Sequence, residues 1–509
     1  MSRQVDADFL ALPLGACSDA ALSRARELGA SHADVRVVSI LSSYTRVRDA
    51  RLEGALLDED RGLAVRVVVD GCWGFAASDR VDVDTARSLA DRAVALARIS
   101  APLSTARVEL APEPVHVGTW VSAYDVDPFD VPEAERLELL TRRSAALNAH
   151  AAVAHSTATL RSVKERVHYA DLAGTRTTQQ RVRVESDITA IAVDPSTGSF
   201  ETMATTAPPA GRGWEYVTGE AVTVGGARAW DWDEELGALP ENLREKTLSP
   251  SVEPGRYDLV IHPTNLWLTI HESIGHATEL DRALGYEANY AGTSFATPDR
   301  LGSLQYGSAL LNITGDRLVQ HGLSTVGWDD EGVAAQGWDL VKDGVLVGYQ
   351  LDRSMAAEFG LARSNGCAYA DSAGHTAIQR MPNVSLQPAP DGPDLEALIG
   401  GVEDGIYVVG DKSWSIDMQR FNFQFTGQRF HRIRGGRLVG QVKDVAYQAT
   451  TTDFWGSMRA VGGESTYLLG GAFNCGKGQP GQVAAVSHGC PAAVFESVNV
   501  LNSAQEAGR

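Results

Sequence analysis

The chain has 509 residues, 44% hydrophobic and 22% charged, a composition that suits two or three folded domains with real cores and excludes a disordered or fibrous chain. Its net charge of −20 argues against direct nucleic-acid binding and against anionic membranes. The five cysteines are few and odd in number, the N-terminal stretch has no basic start ahead of an apolar core, and no apolar run approaches the ~20 residues of a membrane span, so a cytoplasmic protein with free thiols is expected.

The first half reads as α/β. Ala21–Gly29 has the pattern of a short amphipathic helix ended by its glycine. Ala33–Leu41 and Gly62–Val69 are rich in β-branched residues and read as strands, with Gly71–Ala76 turning into a third. Thr85–Arg98 carries apolar residues at helical spacing, and Pro112–Trp120 is extended and reads as a link. Glu133–His150 is the clearest long helix, with Leu137, Leu140 and Ala145 as its buried stripe. Val153–Thr223 reads as several strands, Asp171–Thr175 being one hairpin turn.

A boundary falls in Lys246–Gly255, rich in Pro, Ser and Gly, dividing the chain into residues 1–245 and 250–509. After it come a strand, Tyr257–His262, and a helix from Thr264, as N-cap, to about Asp281. The remainder is strand after strand with Gly-rich turns, including Trp338–Val347, Phe421–Thr426 and Ile433–Val442. No fixed-period repeat is present.

The helix carries the informative residues. His271, Glu272 and His276 form HExxxH, two imidazoles flanking a carboxylate. In zinc peptidases the two His are usually four apart, so both reach one ion while the Glu activates water. Five residues of regular α-helix leave the two side chains about 140° apart. Convergence therefore requires a π-bulge or a break at Gly275. The apolar neighbours Leu266, Leu268, Ile270 and Ile274 place the motif in a buried element, where His and Glu need partners. Glu279 could orient a ligand, although three residues on it reads more simply as a solvated carboxylate. A third ligand is expected. Cys475, followed by Gly476, Lys477 and Gly478, is the first candidate, Lys477 favouring its ionisation; His488 with Cys490 is the second. His262 and His375 read as structural.

These segments, with Gly292–Ala296, Asp329–Gly332, Lys342–Tyr349, Gln379–Asn383, Glu403–Val408, Cys475–Gln479 and Glu59–Ala77, stand in an order that resembles the TldD/PmbA family, also called modulators of DNA gyrase. The resemblance spans nearly the whole chain. It implies an α+β protein, an N-terminal α/β domain followed by a β-rich, barrel-like domain that carries the HExxxH helix. It further implies His271, His276 and Cys475 as ligands of one divalent metal ion, zinc or alternatively iron, with Glu272 as the general base. The implied partner is a metal-free TldE/PmbA-type subunit. The implied substrates are unfolded peptides, including peptide-antibiotic precursors and small antitoxins. Arg380 and Asn383 are candidate substrate contacts, with a structural role at least equally open for each. Two segments depart from the family pattern, Ser364–Ser372 and Gly410–Phe425, and are expected to border the substrate.

Two other readings remain open at the level of sequence: a non-catalytic peptide-binding subunit, and a cysteine-ligated metal centre of another kind. A DNA link through the gyrase name would have to be indirect, given the charge.

Overall fold

A computed structural model describes residues 4–194, 198, 200–219, 230–478 and 480–506. Gln479, the last residue of the Cys475–Gln479 segment, and residues 195–197, 199 and 220–223 of the Val153–Thr223 stretch lie outside the described residues.

The first part is built on a seven-stranded sheet. Its strands are β1 (His32–Arg48), β2 (Arg51–Val69), β3 (Cys72–Ser78), β4 (Val117–Val121), β5 (His155–Asp171), β6 (Arg176–Val193) and β7 (Phe200–Ala204), in the order β3-β2-β1-β5-β6-β4, with β7 also on β6. All pairings are antiparallel except β4 with β6, so the expected link Pro112–Trp120 ends inside the sheet. Turn chemistry sets the register: Asp70 (φ 52°) and Gly71 (φ 75°) join β2 to β3 in the left-handed pair that a two-residue hairpin requires.

Alternation along the strands separates two faces. Val35, Val37, Val65 and Val67 face the helices Leu14–Glu27 and Val83–Ser100, through Ala21, Leu22, Leu89, Ala90, Ala93 and Val94. Further along, Val47, Leu160 and Ile188 pack against the helices Glu133–Asn148 and Trp232–Leu248. In Glu133–Asn148 the buried side holds Arg136, Leu139, Leu140, Arg143, Ser144 and Leu147, whereas the expected Ala145 is exposed. The apolar stripe is shifted because two arginines complete that face.

The helix Val83–Ser100 lies so close to β3 that a Cβ on Gly74 would stand 1.9 Å from the carbonyl oxygen of Ala93 and 2.9 Å from the nitrogen of Ala97. Neither backbone can yield cheaply. Gly74→Ala is expected to cost roughly 1–3 kcal/mol or more in stability, read by denaturant titration.

The other sheet face meets the second half of the chain through charge as well as apolar contact. Buried Arg36 pairs with Asp330 at 3.0 Å, and buried Arg66 pairs with Asp34 at 2.8 Å and Glu331 at 3.0 Å. Val163 joins Leu323, Phe473 and Ala485 in one apolar cluster. The Asp329–Gly332 segment thus serves as a docking element.

The second part contains a closed five-stranded barrel: β8 (Gly255–Ile261), Asp404–Ile416, Asn422–Arg434, Val445–Thr450 and Ala493–Asn502. Strand Asp404–Ile416 pairs with both β8 and Asn422–Arg434, which closes the ring. The expected strand Ile433–Val442 is instead a hairpin, turning at Gly435 and Gly436 (φ 53° and 71°) into Arg437–Val442.

The helix Pro263–Ile270 leaves β8 directly, with all eight residues buried. Its N-cap is His262, whose side chain accepts from the nitrogen of Thr264 at 3.3 Å, and not Thr264 itself; Pro263 fills the first helical position. Asn265 ties the helix to the barrel, donating to the carbonyls of Gly410 (2.9 Å) and Thr426 (3.0 Å) and accepting from the Tyr447 hydroxyl (2.8 Å).

Candidate metal centre

The expected single helix over Thr264–Asp281 is four pieces. α-Helix Pro263–Ile270 passes into a π-helical turn at His271–Gly275, then a 3₁₀ turn at His276–Thr278, and a short helix resumes at Leu280–Ala283. The π turn brings the two imidazoles together, with ring centroids 4.7 Å apart. Gly275 keeps ordinary helical angles (φ −51°, ψ −61°), so the distortion does not depend on its backbone freedom. Its missing Cβ makes room instead, since one would fall 2.7 Å from Met381 Sδ. The carbonyls displaced from helical pairing find other donors: the Tyr306 hydroxyl donates to Ser273 O, and Gln350 Nε2 donates to Gly275 O at 2.5 Å.

Cys475 arrives from strand Leu468–Lys477, paired with Gln482–Cys490. Potential ligand atoms of His271, His276 and Cys475 lie within 4.8 Å of one another, and all three residues are buried. Cys475 Sγ stands 3.7 Å from His276 Nε2. A tetrahedral ion with ordinary zinc–sulfur and zinc–nitrogen bond lengths would separate such a pair by about 3.6 Å. The donor set and its spacing therefore fit a metal ion.

Neighbouring groups fix the tautomers. His488 Nδ1 donates to the Val384 carbonyl at 2.9 Å, so its Nε2 carries a lone pair. Burial first, and His271 beside it, hold His488 well below the usual imidazole range, which keeps it neutral. That Nε2 accepts from His271 Nδ1 at 2.7 Å and leaves His271 Nε2 as a ligand atom. His276 Nδ1 donates to Glu279 Oε2 at 2.8 Å, leaving Nε2 to face Cys475. Burial pushes the Cys475 thiol up, but His276 and Arg380 outweigh it, and the thiol lies below its ordinary value.

Glu279 is fully buried, not a solvated carboxylate. It also accepts from Arg282 Nε at 3.2 Å and from Lys477 Nζ at 3.1 Å. Lys477 is occupied with Glu279, Asp281 and Gln379, so its tie to the site runs through the outer carboxylates rather than through the thiol. His488 is the partner of His271, while Cys490 lies apart, its Sγ against the Pro263 carbonyl.

Glu272 lies in the same π turn, buried, with Oε2 accepting from Arg420 Nη1 at 2.6 Å. Burial raises its pKa, but His271, His276, Arg420 and Arg282 outweigh this and hold it below the ordinary carboxylate value. Arg420 was not foreseen. It lies in the divergent Gly410–Phe425 segment, 148 residues from Glu272, where no spacing rule reaches. The other divergent segment, Ser364–Ser372, packs inward; Ala368 N donates to Asp329 Oδ2 and the Tyr369 hydroxyl to Glu165.

Arg380 and Asn383 are also buried, and the hydrogen bonds they make go to the protein. Arg380 donates to the carbonyls of Cys475 and Gln482, clasping the hairpin that carries the thiol. Asn383 donates to Asp316 O and Thr325 Oγ1 and accepts from Ser324 N. Arg380 thereby supports the strand that carries Cys475. His262 caps its helix, and His375 pairs with Asp371 at 2.6 Å.

Comparison with known proteins matches the geometry to a family. Residues 254–502 match the PmbA/TldA metallopeptidase C-terminal domain, and residues 33–97 match domain 1 of the same metallopeptidases. A metalloprotease of Methanothermobacter thermautotrophicus is 27% identical over 90% of this chain and 93% of its own length. A zinc metalloprotease TldD homolog of Saccharolobus solfataricus is 23% identical over 92% and 96%. In fold, the chain is similar to a proposed modulator of a DNA gyrase from Thermotoga maritima, with TM-score 0.75 at 14% identity over 95% of this chain and 99% of that one. It is likewise similar to TldE from Thermococcus kodakarensis, with TM-score 0.68 at 14% identity over 95% and 99%. The chain belongs to the TldD/PmbA family of metallopeptidases.

Proposed function

We propose that this chain is a TldD-type, metal-binding peptidase subunit that hydrolyses unfolded peptides, with His271, His276 and Cys475 holding one divalent ion and Glu272 serving as general base. The convergence of two imidazoles and a thiol beside a buried carboxylate carries this reading. Two nitrogens and a sulfur suit zinc, with iron the alternative that elemental analysis would reveal.

When bound, the ion supplies Lewis acidity toward a carbonyl and lowers the pKa of water. The chain supplies the rest. Glu272, held below the ordinary carboxylate pKa, is ionised at neutral pH and can accept a proton from water and return it to the leaving amine. The His488 and Glu279 contacts keep one nitrogen of each ligand imidazole protonated and the other available.

The strand that carries Cys475 has a strand partner on one side only among the described residues. An extended peptide added along its other edge would be held by main-chain hydrogen bonds, a mode indifferent to sequence and closed to folded proteins. The natural substrates on this reading are peptide-antibiotic precursors or small antitoxin-like proteins, and the working assembly, in the cytoplasm, includes a TldE/PmbA-type subunit. The resemblance in fold to TldE supports such pairing between chains of one architecture.

The test is to purify the protein with its cellular partner, measure bound metal, and incubate it with an unstructured peptide pool and with folded proteins, with and without a chelator. Chelator-sensitive cleavage of the unstructured pool alone is expected. Cleavage that survives removal of the metal would sink the reading, and equal cleavage of folded proteins would remove the strand-addition mode.

A further inference from the structure

Glu272 stands between two metal ligands in the sequence and is buried with His271 in the same π turn. A carboxylate in that place is itself a good zinc ligand, and a site with four protein ligands is closed to water. The peptidase reading therefore requires something to keep Glu272 off the ion. One candidate is in contact: Arg420 Nη1, 2.6 Å from Glu272 Oε2.

The backbone at Arg420 is unusual. Its φ is +63°, in the left-handed region that L-residues rarely adopt. Glycine would suit that turn better, so the turn alone does not explain an arginine. The surrounding chain holds the conformation firmly. Asp417 Oδ1 accepts from the nitrogens of Gln419 (3.1 Å) and Phe421 (2.8 Å), and its Oδ2 from that of Asn422 (3.0 Å). Thr293 N and Phe295 N donate to the carbonyls of Met418 and Gln419 at 2.8 and 3.0 Å. Thr451 Oγ1 donates to the Arg420 carbonyl at 2.8 Å. A pinned, strained turn thus aims one guanidinium, only 13% exposed, at one carboxylate.

Charge balance alone does not explain the pair. A dication bound beside Glu272 would itself balance the carboxylate and would make a further cation unfavourable by repulsion. The short, directional contact is better matched to a geometric task.

We propose that Arg420 is a positioning residue whose ion pair with Glu272 keeps that carboxylate out of the metal's ligand set and available as the base. This rests on the peptidase reading for the role of Glu272. Arg420→Gly relaxes the turn and removes the guanidinium; Arg420→Lys keeps a cation. In the full chain, R420G is expected to bind zinc or cobalt(II) at least about tenfold more tightly, measured by chelator competition, while cleavage falls. The cobalt(II) absorption spectrum should change as an oxygen ligand is added. In R420G/E272Q the metal affinity should return to that of E272Q, and R420K should restore part of the activity. R420G that binds metal no more tightly than the unaltered protein would overturn the proposal, as would a double variant that keeps the extra affinity. Failure of the peptidase reading looks different: an unaltered protein without metal, or an E272Q protein that still cleaves.

Discussion

Glu272→Gln is expected to slow peptide hydrolysis about 10²–10⁴-fold while the protein retains its metal. Glutamine matches the shape of glutamate, and its carbonyl oxygen can still accept from Arg420, so the turn and the ligand geometry stay intact. What disappears is the ability to take a proton. The loss should fall mainly on kcat with little change in KM, because the lost interaction belongs to the proton transfer and not to peptide binding. Metal analysis of the same preparation separates this outcome from loss of the ion. Activity within tenfold of the unaltered protein would show that another group is the base.

Glu279→Ala is expected to act on both the metal and the fold. The carboxylate accepts from His276, Arg282 and Lys477, with no solvent exposure. Its removal leaves two buried cations sharing Asp281 and Glu287, and breaking such a network costs about 3–5 kcal/mol. It also frees His276 Nδ1 from the contact that sets its tautomer, which should weaken metal binding about 10–100-fold. Lys477 lies two residues beyond Cys475, so this network joins the element bearing one ligand to the strand bearing another. Glu279→Gln keeps an acceptor for His276 and should lose less affinity than Glu279→Ala. Chelator competition and denaturant titration check the two effects separately, and unchanged affinity in the alanine variant would remove the orienting role. The pH dependence has a definite sign. Burial raises the Glu279 pKa, but Lys477, His276 and Arg282 hold it well below the ordinary carboxylate value. Its contribution to stability is thus complete above that ordinary value and is lost only as pH falls through the depressed one.

Much of the architecture could be read from residue pattern, and the exceptions have physical causes. Strands β1 and β2 were legible where β-branched residues are buried, at Ala33–Leu41 and Gly62–Val69, but both run on through segments whose polar and exposed residues resemble loop. The hidden portion is recovered only by pairing, as Ser42–Arg48 lies antiparallel to Arg51–Asp58. Barrel closure was beyond reading from the residues because it depends on strands far apart in sequence, such as Asp404–Ile416 beside β8.

The site divides the same way. A five-residue spacing between His271 and His276 demanded a distorted turn, and the π turn supplies it. Glu279 was visible at i+3 from His276, but its burial was not, because the three elements that enclose it meet only in the folded chain. Arg420 carried no local signal, and His488 was visible only as an alternative ligand beside Cys490; each meets its partner, Glu272 or His271, across 148 and 217 residues. For Arg380 and Asn383, residue type left substrate contact and a structural role equally open, and both side chains hydrogen-bond within the protein.

X-ray absorption at the edge of the bound metal, on protein purified with its ion, reaches the proposed centre most directly. One sulfur at about 2.3 Å and two imidazole nitrogens at about 2.0–2.1 Å are expected, and the sulfur should vanish in Cys475→Ser. A coordination shell of nitrogen and oxygen alone in the unaltered protein would contradict convergence of His271, His276 and Cys475 on one ion.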